Sequence, residues 1–141
     1  MTEIIIRLAA KNDLYLKEWI CTVPVARALK IYAAAKKERD PELAEAVGIT
    51  AHALAVLGVR AARGWVWVWL TIPRSPLREL ATTLNALFRA RSVESIRWST
   101  QEVIRAALSL VPPEGREDFK LEIGSHLREI VAQDGVFEEA S

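Results

Sequence analysis

The chain has 141 residues, half of them apolar and a quarter charged, with a formal net charge of +1. This is the composition of one folded domain, not of a disordered or low-complexity chain. A single cysteine, Cys21, excludes an intrachain disulfide, and no apolar run approaches the ~20 residues a membrane span requires. The small net charge hides an asymmetry: residues 1–111 carry 16 Lys/Arg against 10 Asp/Glu, and residues 112–141 carry 3 against 8. Between Lys37 and Lys120 every cationic side chain is arginine, the better fork for phosphate and carboxylate. A basic body with an acidic tail points to an anionic partner or to a second copy of the chain. Asn and Gln number four in all, a depletion shared by thermophile proteins and by products of GC-rich genomes.

In chain order, residues 2–9 are apolar enough for an edge strand or the lead into a helix, and Asn12 or Asp13 is placed to cap a short helix through Ile20. The first segment lacks the basic and long apolar regions of a signal peptide, so the expected location is the cytoplasm or a virion. Thr22 and Pro24 mark the start of a helix over 24–39 with Val25, Ala28, Leu29, Tyr32 and Ala35 inward. Its outer face carries Arg27, Lys30 and Lys37.

Asp40-Pro41 restarts the chain as N-cap and first helical residue. The spacing predicts a nearly all-apolar helix over 41–63, read as the central helix of a bundle or the core of an oligomer interface. Ala44, Gly48, Ala51, Ala55, Gly58 and Ala62 recur every three or four residues along it. Such a seam of small residues lets a second backbone approach closely. Gly64 breaks the period, and Trp65-Val-Trp-Val-Trp-Leu70 follows, rich in β-favouring residues. Extended backbone over 65–72 is favoured, with Trp65, Trp67 and Trp69 on one face as an assembly interface. The three indoles also suit stacking with single-stranded bases, but core or interface packing is the commoner use. A helical reading aligns Trp65, Trp69 and Ile72 instead.

Pro73 ends that run. Ser75-Pro76 begins a helix over 76–91 with Leu77, Leu80, Ala81, Leu84, Leu87 and Phe88 inward. Arg78, Thr82, Asn85 and Arg89 share its opposite face, and these residue types contact phosphates. Residues 93–98 read as a short strand or a connector. Ser99-Thr-Gln-Glu102 has the form of a capping box and starts a helix stopped by Pro112-Pro113. A last helix spans 114–133, and 136–141 are expected to fray.

The sequence holds no Gly-x-Ser-x-Gly or P-loop pattern and no Cys/His pair at metal-ligand spacing, so no catalytic residue, metal or cofactor is assigned. The expectation is a mainly α domain of about five helices. Its expected role is that of a non-catalytic assembly subunit that oligomerises and contacts DNA or RNA backbone through Arg27, Lys30, Lys37, Arg78, Thr82, Asn85 and Arg89. The alternatives are a protein-interaction module without nucleic acid and, third, a small enzyme with a scattered site. In size, helicity and charge layout the chain resembles the small helical coat proteins of filamentous archaeal viruses and the small helical subunits of CRISPR effector complexes. No motif carries that resemblance, so it transfers no residue role.

Overall fold

The computed structural model describes Lys17, residues 20–70 and residues 76–134. The segment 2–9, read as an edge strand or the lead into a helix, and the frayed tail expected over 136–141 lie outside the described residues. Within them the chain is mainly α-helical, with no strand. Among the described residues six α-helices follow one another: α1 (Ala26–Lys36), α2 (Pro41–Leu57), α3 (Val59–Leu70), α4 (Pro76–Arg89), α5 (Val93–Leu110) and α6 (Arg116–Asp134). A π-helical turn, Cys21–Val25, leads into α1, and a 3-10 turn, Pro113–Gly115, leads into α6.

The π-turn replaces the helix start expected at Pro24. Ile20 is already helical, so the helix runs through the proline. Proline lacks an N–H and its ring crowds the carbonyl four residues back. Widening the ladder by one residue relieves both conflicts. The reward is burial: Ile20, Cys21, Val25, Ala28 and Leu29 are fully enclosed. Tyr32 completes that inner face, whereas Ala35 is exposed beside the turn that ends α1.

The start of α2 is as the sequence indicates. The Leu43 N–H donates to the Asp40 carboxylate at 3.2 Å, and Pro41 fills the first helical position. The helix ends at Leu57, not at residue 63, because Gly58 adopts φ 77° and ψ −161°. That conformation is essentially reserved for glycine and directs the chain into a new helix. Nor is α2 enclosed on all sides. Val47, Ala51 and Leu54 are buried, yet Ile49 is 50% and Val56 63% exposed. The helix therefore forms a face of the fold, packed chiefly on α1.

Residues 65–70 are helical, which corrects the extended reading. A period of 3.6 turns Val66 and Trp69 inward, half-buries Trp65 and Leu70, and leaves Trp67 outside. The β preference of Val and Trp is a weak prior, and the packing surface offered by α2 and α4 overrides it. Gly64 lies within this helix, not at a break.

The fully enclosed side chains of α4, Leu77, Leu80, Ala81, Leu84 and Leu87, pack between α3 and α5. The capping box at Ser99 is also overturned. Ser92 caps α5, its Oγ accepting from the Ser95 N–H at 3.1 Å, and the helix passes straight through Ser99 and Thr100. Both are buried in the apolar stripe of Ile96, Val103 and Ala107. The Thr100 hydroxyl is enclosed without a hydrogen-bond partner among the described residues. Such an orphan costs about 1–3 kcal/mol. Thr100→Val, close to isosteric, is therefore expected to raise stability by about 1 kcal/mol, read as a higher denaturation midpoint; a lower midpoint would show that the hydroxyl is satisfied after all.

Candidate nucleic-acid interface

The helices α3 and α4 are joined through 71–75 and pack against each other. Each presents side chains at spacings of three and four residues: Arg63, Val66 and Trp67 from α3, Asn85, Phe88 and Arg89 from α4. Together with Arg91, just beyond the end of α4, they line one groove of about 480 Å³. That volume lies within the range of ~300–1,000 Å³ common for ligand sites. Val66 forms its floor, and the three arginines and Trp67 form its exposed walls.

Charge in this groove is one-sided. The α3 sequence contains no acidic residue, and the only one in α4, Glu79, precedes Arg89 by ten residues, about 15 Å along the helix. None of Arg63, Arg89 and Arg91 has a carboxylate within ion-pair distance among the described residues, Glu94 included. The Arg63 guanidinium sits 5.3 Å from the centre of the Phe88 ring. A cation–π contact of this kind fixes the orientation of the guanidinium without neutralising it.

A fourth cation lies close by. Lys17 Nζ donates to the Ala90 carbonyl at 2.6 Å, at the C-terminal, negative end of α4. Lys17 and Arg63 both act on Cys21, whose thiol is nevertheless pushed up to about 12 because burial outweighs the two charges. Cys21 is thus a neutral core residue at physiological pH and no nucleophile.

The cations and polar residues expected to contact nucleic acid divide between two places. Arg78, Thr82 and Arg89 lie exposed on the outer face of α4, with Asn85 half-buried among them. The Thr82 hydroxyl is engaged within the helix, donating to the Arg78 carbonyl at 2.9 Å. Arg27, Lys30 and Lys37 are exposed on α1 and its following turn, where Arg27 pairs with Glu122 of α6 at 3.5 Å. The groove takes Asn85 and Arg89 from the first stripe and nothing from the second.

The three tryptophans do not form one surface. Trp69 is buried, Trp65 half-buried, and Trp67 alone is open, at 64%. The small-residue seam is likewise divided. Ala44 and Ala51 are buried, Ala55 is exposed, Gly58 ends α2, and Ala62 belongs to α3. Among the described residues nothing lies within 4 Å of a methyl group placed on Gly48 or Gly58, so neither makes a close helix crossing there.

From the sequence alone Arg63 and Arg91 belong to no site, and Phe88 belongs to the core. Continuing a 3.6-residue period through 59–70 is the signal that places Arg63 and Trp67 on adjacent turns. Among the described residues no three of His, Cys, Asp and Glu converge as metal ligands do, and no helix is long and apolar enough to cross a membrane. Compared with known protein families, curated proteins and solved structures, the chain has no match.

Proposed function

We propose that this chain is a non-catalytic assembly subunit that binds nucleic-acid backbone without base readout, through the groove between α3 and α4. The observation that carries this reading is the convergence of Arg63, Arg89 and Arg91, free of carboxylate partners among the described residues, beside the Asn85 amide. Backbone binding needs only such cations and small polar donors. The exposed stripe of Arg78 and Thr82 extends the same helix face away from the groove. Assembly is supported by apolar side chains left open on other helices: Ile49 and Val56 one above the other on α2, Trp98 on α5 and Leu121 on α6. A protein-interaction module that uses those residues alone is the second reading.

Filter retention of labelled DNA and RNA across a salt series tests the proposal. Binding is expected to weaken steeply with salt, and Arg89→Ala with Arg91→Ala to reduce the log–log slope by about two. No retention of either polymer at low ionic strength ends the backbone-binding reading. Light scattering tests the assembly half, and a clean monomer at high concentration contradicts it.

A further inference from the structure

Resting on the backbone-binding reading, we infer that the groove is built for single-stranded nucleic acid, with one base stacked on the Trp67 indole and the flanking phosphates held by Arg63, Arg89 and Arg91. Phosphate contact alone explains the arginines but not the tryptophan. Trp67 is 64% exposed in the wall of a strongly cationic groove, whereas Val66 and Trp69 supply the packing that α3 needs. A large aromatic surface left in water next to guanidinium groups with no carboxylate partner among the described residues has a defined complement. That complement is a flat aromatic ring joined to an anion, which is the chemistry of a nucleotide unit.

The strand state follows from which faces are free. In a duplex each base is covered above and below by its neighbours, so an indole finds no ring to stack on unless it wedges a step apart. In a single strand the base turns outward at no such cost. The groove residues are also held by contacts of their own. Arg63 is oriented by Phe88, Arg89 stands on the last turn of α4, and Lys17 ties down the Ala90 carbonyl between Arg89 and Arg91. The indole and the cations are therefore presented by two packed helices and not by a loop.

The test is a titration of the full chain, followed by tryptophan emission and by anisotropy of labelled nucleic acid. The probes are an oligothymidylate of about fifteen nucleotides, a mixed-sequence duplex of the same length and thymidine monophosphate. The single strand is expected to quench emission and to bind at least tenfold more tightly than either other probe. Trp67→Leu is expected to remove the quench and to weaken single-strand binding about ten- to hundredfold while leaving duplex binding unchanged; Trp67→Phe keeps most of the affinity. The exposed position of Trp67 means that both variants retain the fold, which their circular dichroism checks. Equal affinity for strand and duplex, with Trp67→Leu affecting both alike or neither, overturns the stacking inference but leaves backbone binding intact. A monophosphate that binds as tightly as the oligomer overturns it in favour of a free nucleotide. Binding of none of the three at low salt overturns this inference together with the backbone reading.

Discussion

Gly58→Ala is expected to destabilise the chain by about 1–3 kcal/mol, although nothing among the described residues stands within 4 Å of the added methyl group. The cost lies wholly in the backbone. With φ 77° and ψ −161°, Gly58 occupies a region that a residue with a Cβ hardly enters. Gly48 provides the contrast. It lies inside α2 with ordinary helical geometry and equally open surroundings, so Gly48→Ala removes backbone freedom from the unfolded chain and is expected to stabilise by about 0.5–1 kcal/mol. Denaturant midpoints of the two variants decide the matter. A closely approached seam along α2 makes both substitutions costly, whereas a break at Gly58 in open surroundings makes their signs opposite. Two losses of equal size would restore the continuous seam.

The second large effect concerns alkaline pH. The Cys21 thiol ionises at about 12 in the folded chain against an ordinary value of 9.0. As pH rises past 9 the unfolded chain releases this proton while the folded chain still holds it. The unfolded state then binds fewer protons, and stability falls with rising pH until the folded thiol also ionises near 12. The full slope is about 1.4 kcal/mol per pH unit. Tyr32, raised in the same direction chiefly by burial and then by the Asp40 carboxylate, adds to the decline. Urea denaturation between pH 8 and 11 is expected to show a clearly shallower fall for Cys21→Ala than for the parent chain, whatever the offset between them at neutral pH. Parallel curves would mean that the thiol is not held in the core. The same burial predicts negligible reaction with thiol reagents until the chain unfolds.

Local chemistry made some elements readable from sequence. Asp40-Pro41 announces α2, Pro76 announces α4, and Pro112-Pro113 stops α5, because each rests on a dihedral angle or a donor that one residue fixes by itself. The faces of α4 were readable as well, since its apolar residues keep a clean 3.6-residue period against a polar remainder. Where both sides of a segment are apolar, periodicity loses its contrast, and residues 65–70 fit a strand as well as a helix until a packing partner is known. Choosing between Gly58 and Gly64 as the break depends on backbone angles that composition does not reveal. The cap at Ser99 misled for a related reason: a motif four residues long cannot tell that the helix is already under way from Ser92. Half of the groove was visible as the Asn85 and Arg89 face. The other half depended on α3 being helical and on α3 and α4 meeting, which is tertiary information.

The π-turn at Pro24 also bears on the order in which the fold assembles. Most helix pairings join neighbours in the chain, α1 with α2, α3 with α4 and α4 with α5, and such local pairs close small loops at little entropic cost. The Cys21–Val25 turn is different, because it touches α1, α2, α3 and α5 together. Its surroundings are complete only when distant parts of the chain have met, so this turn, with Cys21, Pro24 and Val25 buried, is the last to be sealed. Substitutions at Val25 should accordingly speed unfolding far more than they slow folding, with φ-values near zero.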